Sequence, residues 1–173
     1  MTQALEIRDY RPEDGAACYT LRREAFLNVF AGFLPGHIVQ AGADSYGQLE
    51  FAERIAAMDT FVAWVGGEFA GFCTVRLLSP ERAELLYLYV VDQQQGRGVG
   101  ARLVRHAEQR VRSAHPALET LFLDTAVPDY NQGFWEHVGY QPAGQSFCDY
   151  PTGKIPALRL EKQLAGLGTR GPG

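Results

Sequence analysis

The first part of the chain alternates apolar and polar residues over positions 5–10, and this period of two predicts a half-buried strand. Asp14 follows a proline and is expected to cap a helix, in which apolar residues recur at helical spacing as far as Val29. Positions 30–42 contain several glycines and a proline and are predicted to form a loop. A second helix is predicted over 45–58.

A hairpin follows these helices. Positions 60–65 and 68–78 are predicted strands, and the Gly66-Gly67 pair between them supplies the positive φ angles that a tight turn needs. Positions 83–91 then form an apolar and aromatic run, which predicts a strand buried on both faces. The first half of the chain therefore predicts helices followed by an antiparallel meander.

The second half changes character. An apolar stripe over 99–111 predicts an amphipathic helix, and 118–125 is predicted to be a further strand. A short helix is predicted over 131–138, and two final strands over 140–150 and 155–162. Together these elements predict an α/β (α+β) fold with a mixed, mostly antiparallel central sheet flanked by helices.

Length and composition bound the class of protein. The 173 residues suit one domain, which we place at 1–164, followed by a flexible C-terminal tail over 165–173. No apolar run is long enough to span a membrane, and the first residues lack the pattern of a signal peptide. Three cysteines without CxxC spacing fit a reducing compartment, so a cytoplasmic location is expected.

Charge and histidine spacing narrow the function further. The net charge of −4 and the absence of a long basic run give no support to nucleic-acid binding. The four histidines show no pair at i and i+4, so no metal site is expected. The sequence leaves a possible homodimer open.

The candidate chemistry lies where the buried strand 83–91 is followed by a polar turn and three glycines that open the next helix. Such glycines let consecutive backbone N–H groups point into one space, and a helix N-terminus adds partial positive charge. Arg97 and Arg102 could pair with phosphate oxygens. The segment therefore predicts an anion site suited to a pyrophosphate.

Two other interpretations of the glycines remain. They could form a helix entry that binds no ligand. Alternatively, positions 96–101 fit the G-x-G-x-x-A dinucleotide fingerprint, with Glu119 and Asp124 downstream, which would indicate an oxidoreductase. Against the second, polar residues separate strand from glycine, and about 90 residues precede the motif instead of a series of βαβ units.

The same stretch resembles the signature of the GNAT superfamily of N-acetyltransferases, which is Gln or Arg, two residues, Gly, one residue, and Gly or Ala, five residues after a strand valine. Val90, Gln95, Gly98 and Gly100 match it in type and spacing. Positions 134–140 resemble the family's later helix. The resemblance implies the family fold, in which two central strands splay apart.

The resemblance also implies acetyl-CoA as cosubstrate, without a metal. Its pantetheine arm would pair with the backbone of the splayed strand, its pyrophosphate would lie over the glycine turn, and an amine would attack the thioester directly in a ternary complex. A backbone N–H near Val90 would stabilise the oxyanion. The implied cofactor-binding residues are Tyr89, Val90, Val91, Gln95, Gly96, Arg97, Gly98, Val99, Gly100, Ala101, Arg102, Asn131 and Trp135.

Proton transfer has several candidates. Glu84 lies six residues before Val90, so both side chains are expected on one strand face, where burial would raise the pKa of Glu84 and make it a general base. Asp124 is the alternative carboxylate. Either could instead be structural, as a surface charge or a turn cap. Trp135 stands where many family members have a proton-donating tyrosine, so Tyr130, another tyrosine or water would take that role, unless the thiolate leaves unassisted.

Asn131 could alternatively be the N-cap of its helix instead of the coenzyme-contacting asparagine that the resemblance implies. The family resemblance leaves the acceptor amine open, whether a small molecule or a peptide, and the departure at Trp135 allows a non-catalytic acyl-CoA-binding module as the alternative function. An apolar set outside the glycine motif is predicted to form either the acceptor pocket or ordinary core. Its members are Phe26, Phe30, Phe33, Leu34, Tyr46 and Phe51.

Overall fold

The computed structural model describes residues 3–164, so the predicted tail over 165–173 lies outside it. The strands are β1 (Leu5–Asp9), β2 (Asp59–Val65), β3 (Glu68–Ser79), β4 (Arg82–Val90), β5 (Thr120–Thr125), β6 (Gln141–Tyr150) and β7 (Gly153–Gln163). The helices are α1 (Gly15–Asn28), α2 (Gly36–Ala43), α3 (Gln48–Ala56), α4 (Val99–Ala114) and α5 (Pro128–His137). Short 3-10 turns occupy Pro12–Asp14, Phe30–Gly32 and Asp92–Gln94.

The described strands form one seven-stranded sheet in the order β1-β2-β3-β4-β5-β7-β6. Neighbouring strands are antiparallel except β4 and β5, which run parallel and are joined by the crossover helix α4. The predicted mixed, mostly antiparallel sheet is confirmed. A dinucleotide-binding fold, which is built from successive parallel βαβ units, does not describe this topology.

A β-bulge interrupts β4 near its middle. Thr74 of β3 faces Tyr87, whereas the next residue, Val75, faces Leu85, so Leu86 has no partner in the register. Leu86 and Tyr87 consequently contact the same hydrophobic cluster, although they are adjacent in the strand. A bulge of this kind bends its strand and increases the local twist.

The bulge coincides with the separation of the two central strands. β4 pairs with β5 over three residue pairs, the last of which joins Glu84 to Phe122. Beyond Glu84, the structure records no pairing between the remainder of β4 and β5 in the described residues. The splayed pair of strands that the family resemblance implied is therefore present, and the gap between them is open at the carboxyl end of β4.

Each face of the sheet packs against its own helices. One core joins α4 to side chains such as Leu85 and Leu123. A second core, on the opposite face, joins α1 and α3 to side chains such as Phe72 and Tyr87. Because α4 lies on one face and α1 to α3 on the other, the gap beyond Glu84 is bordered by different helices on its two sides.

The start of α1 differs in detail from the expected cap. The side chain of Asp14 makes no capping hydrogen bond to α1. Instead its carboxylate accepts the backbone N–H of Arg11 at 2.7 Å and two hydrogen bonds from Arg8 at 2.8 and 2.9 Å. Asp14 therefore closes the short turn that joins β1 to α1.

The predicted loop over 30–42 was wrong for its second part, which forms α2. The helix is held by tertiary contacts: Ile38 and Val39 are buried, and Arg23 of α1 donates to the carbonyl of Ala43 at 3.0 Å. Cations at a helix C-terminus stabilise it by pairing with free carbonyls. Gly42 allows α1 and α2 to approach closely. The glycines that predicted a loop therefore serve helix packing at this position.

Gly42→Ala is expected to lower the free energy of unfolding, because an added Cβ would lie 2.2 Å from the ring of Phe26. Overpacking of this kind typically costs about 1–3 kcal/mol, which urea denaturation can measure. Gly36→Ala is the control in the same helix, since its Cβ would meet nothing within 4 Å. Equal stability of the two variants would contradict the close contact between α1 and α2.

Candidate active site

The open edge of β4 is the first component of the site. The N–H of Val91 donates to the carbonyl of Ala70 in β3 at 2.9 Å. Backbone groups of successive strand residues point to opposite sides, so those of Val90 and Leu88 point away from β3, into the gap. The side chain of Gln95 donates to the Val90 carbonyl at 3.0 Å. The Val90 N–H remains directed at the gap and available to a ligand.

The glycine turn is the second component. Gly96 and Gly98 adopt φ angles of +71° and +81°, in the left-handed region that favours glycine. Gly98 is the N-cap of α4, and its carbonyl accepts the N–H of Arg102 at 3.1 Å. The first backbone N–H groups of α4 have no partner within the helix and face outward beside the turn. Arg97 and Arg102 are exposed there, as an anion site requires.

A cavity of about 610 Å³ joins these components. It is bounded by α1, the end of β4, the glycine turn and α5. The structure brings most of the predicted cofactor-binding residues to its wall, together with Tyr130. These are Tyr89, Val90, Val91, Gln95, Gly96, Gly98, Val99, Gly100, Ala101, Asn131 and Trp135.

Helix α1 contributes a wall that the sequence did not assign to the site. Leu21, Ala25 and Val29 line the cavity. The sequence showed them only as an apolar stripe at helical spacing, which is equally typical of core. The one signal that the sequence offered for this role was an apolar stripe in α1 that extends beyond the residues needed for the core.

Helix α5 begins one turn earlier than predicted, at Pro128, so Asn131 is not its N-cap. Proline is favoured at the first position of a helix because its missing N–H would have no partner there. The hydroxyl of Thr125 donates to the Asn131 side-chain carbonyl at 2.8 Å and accepts the N–H of Val127 at 3.1 Å. Asn131 is thereby fixed at the cavity wall, and its amide NH₂ group makes no hydrogen bond to the described residues.

Trp135 is mainly a packing residue. It is buried, and its ring packs edge-on against Phe134 and Tyr140, with centroids 5.0 and 5.5 Å away. Phe134 also explains Gly100, since a Cβ there would lie 3.3 Å from its ring. Phe134 contributes to the cavity wall, a role that the sequence did not assign to it.

Tyr130 is the predicted proton donor that reaches the cavity. Its side chain is 44% exposed, and its ring lies 5.4 Å from that of Phe33 in the segment between α1 and α2. Tyr130 therefore borders the cavity from the side of α5. Tyr89 also lines the cavity, and burial raises its pKa to about 12 although the positive charge of Arg22 opposes the rise.

The two candidate base carboxylates lie on the strands that part, but in ion pairs. Glu84 pairs with Arg76 of β3, and Asp124 accepts two hydrogen bonds from Arg159 of β7 at 2.9 and 2.8 Å. Neither carboxylate lines the cavity described above. The sequence could not indicate either arginine, because both pairings join different strands.

The expectation that Glu84 shares a strand face with Val90 was wrong. Ala83 and Leu85, which flank Glu84, belong to the core beneath α4, so Glu84 points to the opposite face. Val90 packs against the α4 core because the bulge at Leu86 reverses the alternation between the two positions. Glu84 therefore lies on the α1–α3 side of the sheet.

Asp124 lies on that side too, since Leu123 next to it belongs to the α4 core.

Among the residues the structure describes, no group of His, Cys, Asp and Glu side chains is arranged to hold a metal ion. No helix within residues 3–164 is long and apolar enough to cross a bilayer.

The chain matches a family of known proteins over most of its length. The model for the "Acetyltransferase (GNAT) family" matches residues 13–140. No sequence among the curated proteins is significantly similar. Many solved structures share the fold, at identities too low to indicate more than the fold.

Three of these structures illustrate the likeness. The GCN5-related N-acetyltransferase "Aminotransferase, Class-II" from Rhodopseudomonas palustris has a TM-score of 0.80 and 22% identity, covering 95% of this chain and 98% of its own. PaiA N-acetyltransferase from Thermoplasma acidophilum, in complex with coenzyme A, has a TM-score of 0.74 and 18% identity, covering 92% of this chain and 99% of its own. YncA from Salmonella typhimurium, with its cofactor acetyl-CoA, has a TM-score of 0.73 and 15% identity, covering 98% of this chain and 99% of its own.

Proposed function

The chain belongs to the acetyltransferase (GNAT) family, and from this premise we propose that it transfers the acetyl group of acetyl-CoA to a primary amine. The amine attacks directly, in a ternary complex. The observation that carries the proposal is that the open edge of β4 and the glycine turn border one cavity. An extended amide chain and a pyrophosphate, which are the two parts of coenzyme A nearest its thiol, require these two features.

The residues at the cavity fit acetyl-CoA. The N–H of Leu88 points into the gap beside that of Val90, and it can pair with an extended ligand as an added strand would. A Cβ at Gly98 would meet nothing within 4 Å, so the cradle at the helix N-terminus is open. Arg97 and Arg102 add charges suited to phosphate.

Acetyl-CoA supplies an activated thioester carbonyl to this site. The Val90 N–H is aimed into the gap, where it can donate to the carbonyl oxygen as negative charge develops on it. A single preorganised donor of this kind is commonly worth on the order of 10²–10³ in rate. The bulge at Leu86 matters here, because it frees this N–H from pairing with β5.

The acceptor approaches from the α1–α3 face, in this proposal, because α4 covers the other. Glu84 and Asp124 lie on that face, on the two strands that separate. We propose Glu84 as the general base that takes the ammonium proton, directly or through water, with Asp124 as the rival. Tyr130 is the proposed donor to the departing thiolate, since it reaches the cavity and Trp135 has no suitable proton.

A non-catalytic acyl-CoA-binding module is the second candidate. Two observations favour it: both carboxylates are engaged by arginines, and a buried indole occupies the position of the usual tyrosine. Release of free thiol from acetyl-CoA in the presence of amines separates the two functions. Binding without any amine-dependent thiol release would support the module.

Gly98→Val is expected to abolish acetyl-CoA binding while the fold remains. A branched side chain would cover the phosphate site and would resist a φ of +81°. Strain of this kind costs about 1–3 kcal/mol, and with the phosphate site covered the affinity should fall at least a hundredfold, or about 2.7 kcal/mol, by calorimetry.

Gly67→Val is the matched control for that strain. Gly67 has a φ of +84° and open space around it, but lies in the turn between β2 and β3. Its variant should lose similar stability and keep the affinity. Wild-type affinity in a folded Gly98→Val protein would show that the pyrophosphate does not bind at the glycine turn.

Glu84→Gln is expected to lower the rate by about 10²–10⁴-fold near neutral pH, as loss of a general base does. The defect should shrink as the pH rises, because more of the acceptor is then already the free amine. Steady-state rates from pH 6 to pH 10 with saturating acetyl-CoA measure this.

Two variants make that experiment specific. Arg76→Met breaks the same ion pair but keeps the carboxylate, so it should retain most activity. Asp124→Asn tests the rival carboxylate. Normal turnover in Glu84→Gln beside a crippled Asp124→Asn enzyme would move the role to Asp124, and normal rates in both would assign the proton to water or substrate.

Tyr130→Phe should lower kcat by about 10²-fold, at the low end for general acid catalysis, because a thiolate is a good leaving group. The ring contact with Phe33 is kept, so stability and the Kd for acetyl-CoA should not change. Single-turnover kinetics report the chemical step. An unchanged single-turnover rate would show that the thiolate leaves without Tyr130.

A further inference from the structure

A continuous aromatic wall extends from the cavity across the α1–α3 face of the sheet. It consists of Tyr89, Phe30 and Tyr150, which are partly exposed, and of Phe26, which is 3% exposed and joins the other rings from beneath. Phe30 lies 6.4 Å from Tyr89 and 4.9 Å from Phe26, and Phe26 lies 6.0 Å from Tyr150, between ring centroids. Tyr89 and Phe30 also line the cavity. The wall thus connects the open edge of β4 to the end of β6.

The carboxylates on this face of β4, β5 and β7 are each matched by an arginine. Two of these arginines also lie over the ring of Phe122, at 4.6 and 4.4 Å from its centroid. The face therefore has little free negative charge near the splayed strands. The pairs are Glu84 with Arg76, Asp124 with Arg159, and Glu161 with Arg82.

Arg22 adds an unmatched positive charge behind the wall. It is 6% exposed, and no carboxylate within residues 3–164 lies at ion-pair distance from it. Its guanidinium donates to the carbonyl of Gly42 at 3.2 Å and the hydroxyl of Ser45 at 3.0 Å. It lies 5.0 Å from the ring centroid of Phe26, so one ring of the wall already faces a cation.

We propose that the acceptor is a monoamine with an aromatic body, and that a polyamine is a poor acceptor. This inference rests on the proposed acetyl transfer. The aromatic body would pack on the wall, where ring pairs prefer offset or edge-to-face contacts. A second ammonium would meet paired carboxylates and the charge of Arg22, in surroundings that screen repulsion less than water does.

Two acidic side chains border the cavity, Glu24 and Asp92, and neither supplies the missing counter-charge. Asp92 lies in the short turn between β4 and the glycines, where its carboxylate accepts a hydrogen bond from the Gln95 side chain at 3.3 Å. Glu24 is exposed and borders the cavity, but it lies on α1 beside Val91, next to the glycine turn. In the proposed arrangement that end holds the coenzyme. Glu24 and Asp92 therefore supply no counter-charge at the wall, which lies toward Tyr150.

The test compares three primary amines with the wild-type protein: 2-phenylethylamine, n-hexylamine and spermidine. We expect kcat/KM for 2-phenylethylamine to exceed that for spermidine by at least about tenfold, and that for n-hexylamine to fall between, since it lacks the aromatic contact. Spermidine turnover equal to or above that of 2-phenylethylamine would overturn the inference.

A pair of tyrosine variants locates the preference. Tyr150→Leu removes a ring from the wall and should raise KM for 2-phenylethylamine about two- to tenfold, without changing KM for acetyl-CoA. Tyr19→Leu removes a similarly half-buried ring that packs on Phe51, outside the wall, and should leave both unchanged. Equal shifts in the two variants, or none in either, would show that the wall is not the acceptor surface.

Calorimetry with acetyl-CoA separates the two levels of the proposal. If acetyl-CoA fails to bind, the proposed function is wrong and the inference falls with it. If acetyl-CoA binds and spermidine is the better acceptor, only the inference is wrong. Binding without turnover of 2-phenylethylamine would also overturn the inference, since an aromatic monoamine should be acetylated.

Discussion

The bulge at Leu86 is the constraint on which the rest of the site depends. It ends the pairing of β4 with β5 after three residue pairs and leaves backbone groups of Leu88 and Val90 directed at a gap. Backbone N–H and C=O groups that are enclosed without partners are costly, so such an edge must be met by water or a ligand. The glycine turn and α5 then enclose that edge, and the cavity follows from their placement.

The sequence predicted the parts of the fold that local chemistry decides. The hairpin around Gly66-Gly67 and the amphipathic helix α4 depend on residues close together in the chain, and both are confirmed. Helix α2 could not be predicted, because its stability comes from Arg22 and Arg23 of another helix and from the contact between Gly42 and Phe26. No local pattern records those partners.

The site shows the same division. The glycine motif was visible, since left-handed backbone at Gly96 and Gly98 demands that residue type. The face of the sheet on which Glu84 lies could not be predicted, because a bulge inserts one residue without changing the apolar pattern. The arginine partners of Glu84 and Asp124 come from strands that are neighbours only in the folded sheet. The electrostatic surroundings of these two candidate carboxylates could therefore be found only from the tertiary structure.

The three residue pairs between β4 and β5 also have a mechanical consequence. They form a narrow seam between a four-stranded half of the sheet, β1 to β4, and a three-stranded half, β5 to β7. Helix α4 packs on the first half and α5 contacts the second. A ligand that crosses the gap would act as a clamp between the halves, and its release would loosen the same seam through which the next ligand enters.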